Sequence, residues 1–125
     1  MNTPSELKYT KDHEWIKIEN NIATIGITDF AQSELGDIVF VDVDTLDDDL
    51  SAGDVFGSVE AVKTVSDLFL PVAGTVVEFN EALEDQPELV NTDPYGEGWI
   101  IKLQLEEGAD LSELLSAEEY QATIG

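Results

Sequence analysis

Short β-rich runs separated by turn residues recur along the chain, and this pattern constrains the fold more than any other feature of the sequence. The first two runs, in residues 15–28, are hinged at Asn20-Asn21, a pair suited to a two-residue hairpin turn. Further strand-like runs occupy residues 38–43, 55–62, 64–72, 74–80 and 99–105. Short strands at such even spacing predict an antiparallel sandwich or a small barrel.

The helix signals between these runs are too short to carry the fold. Thr28 can cap a short helix that stops at Gly36. Asn80 can cap a single helical turn in the sequence E-A-L-E-D. We therefore expect the helices to lie at the periphery of a mainly β structure.

The tail, residues 109–120, has the sequence A-D-L-S-E-L-L-S-A-E-E-Y. Acidic residues in its first turn and its apolar spacing predict a C-terminal helix. Ser116 and Glu119 also have the spacing of a capping box, in which each residue accepts a hydrogen bond from the backbone of the other.

Charge and composition exclude several classes of function. The 125 residues carry a net charge of −23, from 28 acids against five lysines, and we expect them to form a single domain over residues 1–125. Neither nucleic acid nor an anionic membrane is an expected partner, because both need clustered cations. The chain has no cysteine, no signal-peptide core and no membrane-spanning apolar run, which predicts a soluble cytoplasmic protein. The acidity itself has two open explanations, solubility and steering toward basic partner surfaces.

The sequence contains no convincing catalytic or metal site. His13, the only histidine, would have to serve as the base of any nucleophilic triad, and a structural role at the start of a strand is favoured. The acidic loop at residues 42–53 resembles a calcium loop, but Asp47 and Gly53 stand where that loop needs glycine and glutamate. We therefore predict no catalytic residue and no metal ligand.

Lys63 is the most conspicuous residue of the sequence, because it is the only cation among residues 18–101, which contain nineteen acids. Gly53 lies ten residues before it and Gly74 eleven after it, so two similar strands are predicted to meet at a turn with Lys63 at the tip. A solvated turn lysine is the commonest alternative. Because Glu60 and Asp67 flank an otherwise isolated amine, the arrangement suits a lysine that another enzyme acylates to make a swinging arm.

Four stretches resemble the glycine cleavage system H protein family, whose members are lipoyl carriers. They are L-K-Y-T-K-D-H-E-W, A-T-I-G-I-T-D-F-A-Q-S-E-L-G-D-I-V-F-V, G-S-V-E-A-V-K-T-V-S-D-L-F-L-P-V-A-G-T-V-V-E-F-N and E-L-V-N-T-D-P-Y-G-E-G-W-I-I-K. A lysine hairpin alone would be shared by all lipoyl and biotinyl modules, whereas the second and fourth stretches lie outside it and are more specific. The resemblance covers nearly the whole chain.

The resemblance implies a barrel-sandwich hybrid of two β-sheets with short peripheral helices and a C-terminal helix. It also implies a lipoyl group on Lys63, since Val62 and Thr64 argue against biotin, which usually has methionine beside its lysine. The implied function is to shuttle the aminomethyl group of glycine, without catalysis by the carrier. The implied partners of a monomeric carrier are the pyridoxal-phosphate glycine dehydrogenase (decarboxylating), the folate-dependent aminomethyltransferase, dihydrolipoyl dehydrogenase and the lipoate-attaching enzyme.

Two other functions stay open at this point: a relay that donates lipoate to oxoacid dehydrogenases or serves another lipoate-dependent pathway, and an unmodified binding protein. On the carrier hypothesis, Glu60 is a candidate for recognition by the lipoate-attaching enzyme. Glu14 and Asp67, and more weakly Asp12, are candidates for a cleft that holds the loaded arm, because a carboxylate can bind the protonated amine of the cargo by a charge-assisted hydrogen bond.

Overall fold

A computed structural model of the chain describes residues 3–109 and 111–124, and most of these residues lie in or beside antiparallel β-strands. The strands of the described part are β1 (Lys8–Tyr9), β2 (Glu14–Glu19), β3 (Ile22–Ile27), β4 (Ile38–Asp42), β5 (Asp49–Leu50), β6 (Val55–Ala61), β7 (Val65–Phe69), β8 (Gly74–Phe79) and β9 (Ile101–Leu105). The helices are α1 (Asp29–Leu35), α2 (Ala82–Asp85), α3 (Leu89–Thr92) and α4 (Ala117–Ile124). No helix in this part of the chain is long and apolar enough to cross a membrane.

The strands form two sheets that face each other. One sheet has six strands in the order β1-β2-β3-β9-β8-β5, and the other has three in the order β4-β6-β7. The neighbouring strands pair antiparallel, and the sheets do not close into a barrel. The predicted fold class, two β-sheets with short peripheral helices and a C-terminal helix, is confirmed.

The turn and cap signals behave as their residue types predict. Asn20 and Asn21 both have positive φ, 51° and 69°, which a type I′ turn requires, and Glu19 pairs with Ile22 across this two-residue loop. Thr28 accepts a hydrogen bond from the amide of Ala31 at the start of α1. Gly36 ends that helix at φ 83° and ψ −159°, a region of the backbone map that only glycine readily adopts.

The predicted turn after Asn80 is present as α2, but the helix begins one residue later than predicted and its N-cap residue is Glu81 instead of Asn80. The Asn80 side chain accepts a hydrogen bond from the amide of Ala82, and its amide nitrogen donates to the carbonyl oxygens of Glu97 and Trp99. Helix α3 and the two-residue strands β1 and β5 are not predicted, because elements of two to four residues are too short to show a period. Strand β5 lies inside the segment that the sequence indicates as an acidic loop.

The extent predicted for the C-terminal helix is wrong. Helix α4 begins at Ala117, after the capping box that Ser116 and Glu119 form as predicted. The preceding segment is not helical, because Leu115 makes two backbone hydrogen bonds with Tyr9 in an isolated antiparallel bridge. Asp110, which belongs to the predicted helix, lies outside the described residues.

Two apolar clusters hold these elements together. The larger one fills the space between the sheets with side chains from both, including Val59 and Leu68 from the three-stranded sheet and Ile25 and Leu103 from the six-stranded one. A smaller cluster joins α4 to the first strands and contains the buried residues Leu7, Tyr9, Trp15 and Tyr120. The rings of Tyr9 and Tyr120 stack at 4.9 Å. The smaller cluster therefore fixes the strand that carries Glu14.

Candidate functional site

Lys63 lies at the tip of the hairpin formed by β6 and β7, as the sequence predicts. The amide of Ala61 donates to the carbonyl oxygen of Thr64 over 2.7 Å, which closes the turn. The amide of Val62 donates to the carbonyl oxygen of Asp37 over 3.2 Å, which ties the turn to the segment after α1. The tip is thus held from two sides while the Lys63 side chain is exposed.

The stem of Lys63 passes over the end of α1. A β-carbon placed on Gly36 would lie 3.4 Å from Cε and 3.9 Å from Nζ of Lys63. The ammonium group therefore lies near the carbonyl end of a helix, where a cation is favoured. Within residues 3–109 and 111–124 Lys63 forms no ion pair. Its side chain is exposed to solvent.

Glu60 is exposed on the outer face of the hairpin, three residues before Lys63. In the sheet it stands directly opposite Phe40 on one side and Val65 on the other. A carboxylate in this position is accessible to any protein that approaches Lys63 along the hairpin. The structure thus brings Glu60 and Lys63 together on one accessible surface.

Glu14 is buried, with 2% of its surface exposed, at the start of β2. Its Oε2 accepts a hydrogen bond of 2.8 Å from the amide of Phe69 on β7, so the side chain joins the two sheets. Its Oε1 is also buried and has no hydrogen-bond partner of good geometry among the described residues, although the Thr10 hydroxyl lies close enough to lower the pKa of the carboxyl. An unsatisfied carboxylate oxygen is costly to bury, which makes this atom a candidate for binding a donor from outside the chain.

The burial of Glu14 raises its pKa to about 8, and the negative charge of Asp12 adds to the rise, whereas the hydrogen bond from the Phe69 amide opposes it. Asp12 is itself exposed, and its effect on Glu14 places the two carboxylates near each other. Asp67 is exposed on β7, two residues before Phe69. Of the three acids proposed for the arm, Asp67 thus lies on β7. Glu14 lies at the start of β2, which contacts the end of β7, and Asp12 lies just before it.

His13 precedes Glu14 in a left-handed backbone conformation, with φ 68°. Its Nδ1 is 2.9 Å from the hydroxyl oxygen of Tyr120, which also forms a hydrogen bond of 2.7 Å with the Thr28 hydroxyl. The ring lies 4.9 Å from that of Phe30. These contacts give His13 the structural role that the sequence favours, because they hold α1 and α4 against the strand that bears Glu14.

Sequence reasoning missed two contributors to this site. The amide of Phe69 positions the Glu14 carboxylate, and the hydroxyl of Tyr120 connects His13 to Thr28. Both act across more than fifty residues of sequence, as the separations of 55, 107 and 92 residues show. No local pattern in the sequence could have indicated them.

Comparison with known proteins gives consistent matches over the whole chain. The family described as Glycine cleavage H-protein matches residues 7–125. A glycine cleavage system H protein of Bacteroides fragilis is 61% identical over 124 residues, which cover 99% of this chain and 98% of the relative. One from Staphylococcus epidermidis is 58% identical over 125 residues, covering 100% of this chain and 99% of the relative. A crystal structure of a glycine cleavage system H protein from Mycobacterium marinum superposes with a TM-score of 0.90 at 42% identity, covering 98% of each chain.

The raised pKa of Glu14 predicts a stability that falls as pH rises. The unfolded chain releases this proton near pH 4.5 and the folded chain only near pH 8, so between these values folding takes up a proton. The contribution of Glu14 to the free energy of unfolding is fully present below the unfolded pKa. It is lost as the pH rises through the folded pKa. Denaturant unfolding of the wild-type chain should show that the free energy of unfolding falls by a few kcal/mol across this pH range. The Glu14→Gln chain should not show this fall.

Asp67→Asn is the matched control, because it removes an exposed acid from the strand that donates to Glu14. Its stability should follow the wild-type pH dependence. A Glu14→Gln chain with the same pH dependence as the wild type would show that Glu14 ionises normally when folded.

Proposed function

The chain belongs to the glycine cleavage H-protein family, and from this membership we propose that it is the lipoyl carrier of the glycine cleavage system. In this function it takes the aminomethyl group of glycine from the pyridoxal-phosphate decarboxylase to the folate-dependent aminomethyltransferase. The observation that carries the proposal is an exposed Lys63 at the tip of a two-stranded hairpin, in a chain that matches the family over its length. A relay of lipoate to other complexes is not favoured, because the relatives are named for glycine cleavage.

Lys63 is the residue that we propose holds the lipoyl group, as an amide of Nζ. When attached, the group supplies a dithiolane that can be reduced and can take the aminomethyl cargo. The fit to this chain is good, since the amine is exposed, is free of ion pairs within the described residues and stands on a turn tied by backbone hydrogen bonds. The chain itself would position and protect the arm and would catalyse no step.

The proposed partners are the glycine decarboxylase, the aminomethyltransferase, dihydrolipoyl dehydrogenase and the lipoate-attaching enzyme. A carrier must visit them in turn and leave each one again. The net charge of −23 suits such brief contacts, because charge complementarity increases association rates more than it increases the lifetime of a complex. It favours partners that present basic surfaces around their active sites.

Glu14, with Asp67 and Asp12, is proposed to hold the loaded arm against the carrier. The Oε1 atom of Glu14 is buried without a donor of good geometry among the described residues, and the ammonium group of the cargo would supply one. Its positive charge would also lower the pKa of Glu14 from about 8, so that the loaded carrier holds a carboxylate. The distance along β7 from Lys63 to Phe69 is roughly 20 Å at the rise of an antiparallel strand. An arm that lies along this strand passes Asp67 before it reaches Glu14, and Asp12 adds negative charge at the end of the path.

Lys63→Arg should remove the carrier function without unfolding the chain. Glycine decarboxylation reconstituted with the three partner enzymes should proceed with the lipoylated wild-type chain and be absent with Lys63→Arg, which keeps the charge but offers no acylable amine. Intact-mass spectra should show one lipoyl group on the wild type and on the control Lys102→Arg. Acylation removes a positive charge, so the modified chain should run further toward the anode on a native gel. Lipoate on the Lys63→Arg chain would overturn the assignment.

Glu60→Ala should slow the attachment of lipoate while leaving stability nearly unchanged. The side chain is exposed, so its loss should alter the free energy of unfolding by no more than about 0.5 kcal/mol. The attaching enzyme, in contrast, has to select one lysine from five and would lose a charged contact beside it. The rate of mass increase is compared with that of Glu78→Ala, which removes an acid from the other sheet. Equal rates for all three chains would exclude Glu60 from recognition.

Glu14→Gln should shorten the lifetime of the loaded carrier. Without the carboxylate the cargo amine loses its charge-assisted bond, so water should release formaldehyde and ammonia faster from the isolated, aminomethylated chain. Asp67→Asn should have a smaller effect in the same direction, because Asp67 is exposed. Asp42→Asn, on the far edge strand of the same sheet, is the control. If all of these chains decay at the wild-type rate, the arm is not held by these acids.

A further inference from the structure

The outer face of the three-stranded sheet carries an apolar patch next to Lys63. Phe40 on β4, Glu60 on β6 and Val65 on β7 stand opposite one another in a single row across the sheet. Directly opposite residues lie about 5 Å apart at Cβ, so Phe40 and Val65 flank Glu60 on both sides. Val62 continues the patch into the turn, immediately before Lys63.

This patch is unusually exposed for apolar residues. Phe40 is 53% exposed, Val65 61% and Val62 76%. The adjacent inward-facing residues Val59 and Leu68 are buried, so the sheet does not need the outer side chains for its core. Apolar residues that are contiguous and exposed beside a functional group are typical of a surface that binds another protein.

We propose that Phe40, Val62 and Val65, with Glu60 at their centre, form the docking surface of the enzyme that acylates Lys63; this rests on the proposed carrier function. The occupant is a protein surface with an apolar centre that receives the Phe40 ring and with a lysine or arginine that meets Glu60. Ser58 lies two residues before Glu60 on β6, and it stands opposite Asp42 on β4 and Asp67 on β7. In the described part of the chain, Asp42, Glu60 and Asp67 form no ion pair, so the complementary cations have to come from the partner.

The position of Lys63 Nζ, the atom that is acylated, favours the attaching enzyme over the other partners as the protein that binds the patch. Acylation takes place at Nζ, within the length of the lysine side chain, so the enzyme has to cover the residues around the hairpin tip. The enzymes of glycine cleavage act on sulfur atoms at the far end of the completed arm. Phe40 and Val65 surround the base of the lysine instead, next to the atom that is acylated.

The acylation of Lys63 does not use the side chains of the patch as reactants, so their proposed role is docking alone. Nζ loses its ammonium proton and attacks the carbonyl carbon of a lipoyl donor activated as an acyl phosphate anhydride. The C–N bond forms, the bond between the carbonyl carbon and the phosphate oxygen breaks, and the oxygen leaves with the electron pair. A second proton leaves the nitrogen to give the amide, and no atom is oxidised or reduced.

The test uses Phe40→Thr and Val65→Thr, which remove apolar surface and leave a residue of high strand propensity at each position. Val55→Thr is the matched control, because Val55 is an exposed valine of the same sheet that lies at the other end of β6, away from Lys63. The kcat/KM of the attaching enzyme, followed by intact mass, should fall about tenfold for each patch variant through KM, as for residues central to an interface. The Kd for the unmodified chain, measured by calorimetry, should rise by a similar factor, and Val55→Thr should match the wild type.

Two further measurements separate docking from other causes. A small activated ester should acylate Lys63 equally fast in all the chains, because it needs no docking surface. Once fully lipoylated, the patch variants should support glycine decarboxylation at the wild-type rate. Failure of the wild-type chain in that assay would reject the carrier function instead of the docking surface.

Three outcomes would overturn the proposal. Wild-type kcat/KM and Kd in both patch variants would show that the attaching enzyme does not bind the patch. Normal attachment followed by slow decarboxylation would assign the patch to an enzyme of glycine cleavage. A self-associating wild-type chain whose dimer is lost in the variants, with attachment unchanged, would assign it to a second copy.

Discussion

The hydrogen bond from the Phe69 amide to the Glu14 carboxylate determines how the candidate site is built. It joins strand β2 of the larger sheet to strand β7 of the smaller one, so together with the bond from the Val62 amide to Asp37 it holds the lysine hairpin against the rest of the chain. Only one carboxylate oxygen takes part, and the other is buried without a donor of good geometry among the described residues. A contact that holds the sheets together thereby also leaves a buried polar atom, which is the one proposed to bind the cargo.

The surroundings of this bond keep Glu14 in place. Trp15 and Tyr120 are buried in the smaller apolar cluster, and the Trp15 indole donates to the carbonyl oxygen of Pro94. The Tyr120 hydroxyl meets both His13 and Thr28. Helix α4 therefore acts on the site indirectly, since its one buried residue fixes the backbone just before Glu14. The burial that results is also the main cause of the raised pKa of Glu14.

The hairpin offers its outer face and its free edge to the two proposed tasks. Its tip presents Lys63 to solvent over the end of α1, while the free edge of β7 leads back toward Glu14. The outer face carries Phe40, Glu60 and Val65 in one row. Asp67 lies two residues from Val65 on β7 and therefore on the same outer face, so the docking surface and the path of the arm meet at this residue. They separate at the edge of β7, where the Phe69 amide contacts Glu14.

The sequence by itself determined the features that a turn pair, a helix cap or a side-chain period marks. The Asn20-Asn21 turn and the helix between Thr28 and Gly36 follow from local backbone preferences, and the alternating strands on either side of Lys63 follow from side-chain period. Only the tertiary structure decided that Glu14 is buried, that Leu115 bridges to Tyr9 instead of joining the C-terminal helix, and that Phe40 flanks Glu60. These outcomes depend on which strands pair and in what register. Register is set by the packing of a whole face at once, so residues far apart in the chain meet without any signal in either local segment.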